Sequence, residues 1–217
     1  MSATKAYTRV NSVFYAGVCM SKISLELIQQ LRDRTAAGML DCKKALEETN
    51  GDLEKAVEVL RKKGAAIAAK RSGNATAEGL VHAYIHPGSR VGVLVEINCE
   101  TDFVARTEAI KQLAADLCLH IAAAKPLYLT PEQVDSKFLE HERNLLKEQL
   151  VGSGKPEKIV EQIVEGKISK LYSEICLLQQ PFVKNDQLTV DDLIKEVIAK
   201  VGENVRIKRF ARFELGT

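Results

Sequence analysis

The feature that most restricts this chain is a change of hydrophobic period between residues 80 and 125. Leu80-Val81-His82-Ala83-Tyr84-Ile85-His86 alternates, and Arg90-Val91-Gly92-Val93-Leu94-Val95-Glu96-Ile97-Asn98 is a second strand-like run. His86-Pro87-Gly88-Ser89 between them has turn composition, so the two runs read as a β-hairpin. From Asp102 the period becomes helical. Phe103, Ile110, Leu113, Ala114, Leu117 and Ile121 fall on one face of a helix that stops at Lys125-Pro126. A helix from Thr189 to Val201, ended by Gly202, and a β-like tail, ENVRIKRFARFEL, close the chain. Strands, helices and then a strand again define an α+β fold.

Residues 21–64 read as three short helices. Ser24 caps the first, with Ile23, Leu27 and Leu31 at helical spacing, and Thr35-Ala36-Ala37-Gly38 breaks it. Met39, Cys42 and Leu46 stripe the second, which ends at Asn50-Gly51. Asp52 caps a third, with Leu53, Ala56, Val57 and Leu60 on one face and Gly64 as its stop. Residues 65–79 read as a short helical continuation running into a Gly/Ser/Asn linker. Within a core of 80–217, Thr130-Pro131-Glu132-Gln133 has the composition of a helix start, with Thr130 as cap. Val134, Phe138, His141 and Leu145 follow. Gly152-Ser153-Gly154 turns the chain, and a second helix from Pro156 carries Ile159, Ile163, Leu171, Ile175 and Leu178. This predicts an inserted antiparallel helical hairpin at about 130–178.

Composition narrows the class. Of 217 residues, 46% are hydrophobic and 28% charged, enough for a buried core without cross-links. Lys and Arg (31) nearly cancel Asp and Glu (29), so a net charge of +2 gives no bulk field for nucleic acid or anionic lipid. The five cysteines are scattered without a CxxC pair, which points to reduced thiols rather than a disulfide framework or zinc cluster. No metal or cofactor is expected. No apolar run approaches the ~20 residues of a membrane helix, and no membrane association is expected. Residues 1–20 form a stretch of unknown role. The first nineteen lack any acidic residue and carry Lys5 and Arg9; they read as an extension before a natural start at Met20, with a transit peptide as the alternative.

Each chemical motif has a bland counterpart. Gly152-Ser153-Gly154-Lys155 lacks the spacing of a phosphate loop, and Pro156 stands where a hydroxyl is needed, so it reads as a turn. Cys99 with His82 or His86 is a thiol–imidazole pair only if the fold joins them, and buried thiols are commonly inert. Glu96 and Glu100 share a strand side by alternation and, with Asp102, make a carboxylate cluster whose default is a solvated edge. Arg206, Lys208, Arg209 and Arg212 read as a solvated strand face, with nucleic-acid contact as the sharper alternative. The stretch NCETDFVAR, residues 98–106, stays open between two readings. Thr101 or Asp102 caps a helix and Phe103 joins its buried face, or the corner exposes Asp102 and Phe103 together as an anchor for another protein.

Two stretches resemble the signatures of the bacterial and organellar elongation factor Ts family. One is Leu31-Arg32-Asp33-Arg34-Thr35-Ala36-Ala37-Gly38-Met39-Leu40-Asp41-Cys42-Lys43-Lys44-Ala45-Leu46, where the family usually reads LRxxTGAGMMDCKKAL. The other is Glu96-Ile97-Asn98-Cys99-Glu100-Thr101-Asp102-Phe103-Val104-Ala105-Arg106. Lys155–Ile159, Val164-Glu165-Gly166 and Gln180-Pro181-Phe182-Val183 are similar too, so the resemblance runs from about Met20 to the end. It implies a ubiquitin-associated-like three-helix module, a linker, and a core with a coiled-coil insertion. It implies nucleotide exchange on elongation factor Tu in a cytoplasm or organelle matrix, without bond chemistry. It also implies the single-core form of the family, with two chains as a homodimer and no direct nucleic-acid contact. By position, Thr101, Asp102, Phe103 and Val104 correspond to the residues that disturb the partner's Mg²⁺ site. Arg32, Met39 and Leu40 correspond to the module's partner contacts. A partner-binding adaptor using only the module is the alternative. Two departures stand out: Ala36 replaces a common Gly, which strains any positive φ there, and Leu40 replaces a Met.

Overall fold

The computed structural model describes residues 23–35, 37–150 and 156–216. The expectations about residues 1–19, Ala36 and the turn Gly152–Lys155 lie outside these residues. The fold is α+β, with an antiparallel sheet and a helical hairpin beside it.

Helices α1 (Leu25–Thr35), α2 (Met39–Glu48) and α3 (Leu53–Arg71) come first. Their starts follow the expected caps: Ser24 Oγ accepts from the Leu27 N–H, and the Asp52 carboxylate accepts from the Lys55 N–H. Asn50 and Gly51 turn the chain at positive φ, 54° and 86°. Ile28, Leu31, Cys42, Ala45, Leu46 and Ala56 close a separate apolar cluster among these helices. Gly64 does not stop α3, which runs on to Arg71. The position of a Cβ at Gly64 lies 3.5 Å from the Ala199 Cβ, on helix α8 (Val190–Val201). That is ordinary contact distance, so packing against α8 carries the helix through the glycine without requiring it.

Strands β1 (Glu78–Ile85) and β2 (Val91–Cys99) form the hairpin, turning through Gly88 and Ser89 at φ 92° and 54°. Strand β5 (Val205–Glu214) pairs antiparallel with β2, giving the order β1-β2-β5. Alternation sends Val93, Val95, Ile97 and Cys99 into the core. Helix α5 (Glu108–Ala124) covers them with Ile110, Leu113, Ala114, Leu117, Cys118 and Ile121, and α8 adds Val190, Ile194 and Ile198. Each fully buried Leu or Ile there contributes about 1.5–3 kcal/mol. The Thr189 side chain and Asp192 form a reciprocal capping box that starts α8, and Gly202 ends it at φ 75°.

The hairpin is α6 (Ser136–Leu150) and α7 (Glu157–Ile175). Thr130 does not cap a long helix. Pro131–Gln133 is a 3₁₀ turn, and the Gln133 side chain instead accepts from the Leu129 N–H at 3.0 Å. Helix α6 starts only at Ser136. Phe138 and Leu145 are exposed, while Leu139, Leu146 and Leu150 are half-buried. Arg143 pairs with Glu165 of α7 across the hairpin. Between α7 and α8, β3 (Pro181–Phe182) and β4 (Asn185–Thr189) make a small hairpin. It seats on buried His120, whose Nδ1 accepts from the Val183 N–H at 3.2 Å and whose Nε2 faces Gln180 Oε1 at 2.9 Å.

Candidate functional site

The site begins where β2 ends. Asn98 and Cys99 are the last paired residues, Glu100 and Thr101 turn the chain, and a single helical turn, α4 (Asp102–Ala105), follows. Thr101 is in extended conformation, and its hydroxyl accepts from the Val104 N–H at 3.4 Å, so the N-cap reading holds. The helix does not continue from Asp102 into residues 108–124. Arg106 closes the first turn on the Asp102 carbonyl, and Thr107 returns to extended backbone (ψ 151°) before α5 starts at Glu108. That break shifts the register by which Phe103 was placed on the buried face. Phe103 is 79% exposed, and only Ala105 of the turn is buried.

Asp102 lies beside Phe103, half-buried, and pairs with Arg106 at 2.6 Å. This pair is solvent-facing and contributes little to stability. Val104 is half-buried and packs on the core from the other side of the turn. The corner therefore presents an acid and an aromatic outward while Val104 and Ala105 anchor it.

Arg32, Met39 and Leu40 are also exposed. Met39 opens α2, so it leaves the buried stripe that Cys42 and Leu46 continue. Arg32 and Met39 line a cavity of about 450 Å³ that Leu60, Ile67 and Ala199 help to wall. Lys63 pairs with Asp41 at its edge. Burial within this region pushes the Glu196 carboxyl above its ordinary range.

The enzyme-like groupings are not assembled. The Cys99 thiol is buried, donates to the Thr101 carbonyl at 3.1 Å, and is pushed up by desolvation. His86 meets Tyr84 instead, and His82 contributes only its carbonyl to the Cys118 thiol. Glu96 is taken by Arg209 at 2.7 Å. Glu100 accepts from the Asn204 N–H and from the Asn74 side chain, which hold its carboxyl below the ordinary carboxylate range. Arg206 donates to the Ser72 and Asn74 carbonyls, and Arg212 to Glu214 and the Ala122 carbonyl. Three of the four basic residues of β5 thus serve the fold. No group of three or more metal-ligating side chains occurs among the described residues. No helix there is long and apolar enough to cross a membrane. Sequence reasoning missed Glu203, which accepts from Thr101 across 102 positions of chain.

These features describe an α+β protein in which the most exposed aromatic among the described residues stands on a short, braced turn. Residues 20–217 match the family described as elongation factor TS. Elongation factor Ts of Carboxydothermus hydrogenoformans is 56% identical over 194 residues, covering 89% of each chain. That of Desulforamulus reducens is 55% identical over 197 residues, 91% of each. A Thermoanaerobacter relative of the same description is 55% identical over 89% of this chain and 95% of its own. The chain belongs to the elongation factor Ts family, and is a translation elongation factor.

Proposed function

We propose that this chain is a guanine nucleotide exchange factor that binds elongation factor Tu–GDP and promotes release of GDP so that GTP can bind. The observation that carries this reading is the exposure of Phe103 beside Asp102 on a turn anchored by Val104 and Ala105. An isolated aromatic in water is the usual anchor of a protein–protein contact. Here it would enter the partner's nucleotide-binding domain. The acid beside it would fix its placement, and Thr101 and Val104 would hold the turn.

The mechanism is linkage. Mg²⁺ on the partner neutralises phosphate charge and so retains GDP. A factor that favours a partner conformation with that site distorted weakens GDP, and GDP weakens the factor by the same ratio. No nucleophile, general base or resident cofactor enters this scheme. Arg32, Met39 and Leu40 would make a second contact from the three-helix module, residues 21–64, ahead of a core at 80–217. The site of action is the cytoplasm.

A homodimer belongs to the same reading. Val81, Ile85, Leu94 and Phe213 are exposed on the sheet face away from α5, and the strand register sets them side by side. A second copy covering that face would bury them. Light scattering at micromolar concentration tests this; a mass of one chain would contradict it. The exchange reading is tested by fluorescent GDP release from elongation factor Tu with and without this chain. No acceleration by the wild-type chain would end it.

A further inference from the structure

The docking turn is held from one side only: Val104 and Ala105 pack on the core, while Asp102 and Phe103 face outward. Phe103 touches little, and a one-turn helix has no intrinsic stability. Its direction therefore depends also on what fixes the backbone of residues 100 and 101, ahead of that anchor. Two polar exchanges do so. The Thr101 N–H donates to Glu203 Oε2 at 3.0 Å, and the Thr101 hydroxyl donates to Glu203 Oε1 at 2.8 Å. In the opposite sense, the Asn204 N–H donates to Glu100 Oε1 at 2.6 Å. Neighbouring residues Glu100-Thr101 and Glu203-Asn204 thus trade carboxylates between the end of β2 and the turn after α8.

The Thr101 hydroxyl has two uses. It accepts from the Val104 N–H, starting α4, and donates to Glu203, which fixes its rotamer. Asn204 extends the clasp. It is buried, and its side-chain amide donates to the Asn74 carbonyl at 2.9 Å, while the Asn74 amide donates to Glu100 Oε2 at 2.9 Å. The chain just beyond α3 is thereby tied to the corner.

We propose that Glu203 is a positioning residue for nucleotide exchange, holding Asp102 and Phe103 in their docking direction through Thr101. This rests on the exchange-factor reading for its functional consequence and on geometry alone for the clasp. Without Glu203 the turn samples several directions, of which a fraction is competent. The apparent affinity then falls by that fraction, while the complex, once docked, is unchanged.

The test is Glu203→Gln in the full chain, which keeps one acceptor oxygen, with Glu203→Ala as the stronger perturbation. Loss of one to two net hydrogen bonds at a half-buried carboxylate predicts a rise of about three- to tenfold in the concentration giving half-maximal GDP release. The saturating release rate stays within about twofold. The melting temperature moves by no more than about 4 °C, and amide hydrogen exchange accelerates at Thr101 to Thr107 above the rest of the molecule. Unchanged amide exchange at Thr101 overturns the proposal. So does a saturating rate that falls together with the melting temperature, which marks a merely structural role. If the wild-type chain releases no GDP, the exchange reading fails, and the amide-exchange measurement still decides whether Glu203 holds the corner.

Discussion

Replacing Phe103 by Ala removes a side chain that keeps 79% of its surface in water. An aromatic side chain buries about 150–250 Å² when fully enclosed, so the fifth that is covered amounts to about 40 Å². At about 25 cal/mol per Å², the truncation costs close to 1 kcal/mol, about 2–4 °C in melting temperature for a chain of this length. A Phe on the buried face of a helix would instead cost about 3–5 kcal/mol. The same variant should lose a docking anchor worth about 2 kcal/mol, close to thirtyfold in stimulated GDP release. Both quantities come from one preparation, through thermal unfolding followed by circular dichroism and stopped-flow release of fluorescent GDP from elongation factor Tu. Adding Asp102→Ala should deepen the kinetic loss and leave the melting temperature nearly unchanged. A drop of about 10 °C or more would show that Phe103 is packed and refute the geometry. Full stability with undiminished GDP release would refute the docking role.

Two further outcomes follow from particular contacts. Gly64→Ala should stabilise the chain by about 0.5–1 kcal/mol, because a helical glycine is replaced where a Cβ has ordinary contact distance to Ala199, whereas Gly64→Leu should lower the melting temperature; destabilisation by Ala would refute that spacing. Burial holds the His120 imidazole below its ordinary value of 6.5, so the unfolded chain takes up a proton on acidification before the folded one does. The contribution is full above about pH 6.5 and is lost as pH falls, so the melting temperature should decline from about pH 7 to 5, and His120→Gln should make that decline shallower. An equal slope in the variant would assign the pH dependence elsewhere.

What the sequence conveyed depended on how local the cause was. The caps at Ser24, Asp52 and Thr189 and the turn at Gly88 were legible because each is settled within four residues. So was the buried face of α5, whose apolar spacing runs unbroken from Ile110 to Ile121. Phe103 failed as a core residue because two helices were read as one. The only local sign of the break is Thr107, whose hydroxyl turns back to the Val104 carbonyl at 2.7 Å. Phe138 and Leu145 failed because α6 turns a competing apolar set, Leu139, Leu146 and Leu150, inward, and spacing alone does not choose between the two. The clasp through Glu203 had no local sign at all. A carboxylate and a threonine a hundred positions apart become partners only once β5 is paired with β2.

Helix α3 has a geometric consequence beyond its packing. Its 19 residues span about 28 Å at 1.5 Å each, and Gly64 rests on α8 just past the midpoint. The arm from Gly64 back to Leu53 is then about 17 Å long. A tilt of about 10° at the glycine would swing the far end by about 3 Å, carrying α1 and α2, with Arg32, Met39 and Leu40, along with it. The contact at Gly64 is thus the fulcrum of a lever. A small change of angle there becomes a displacement of about 3 Å at the surface this module presents.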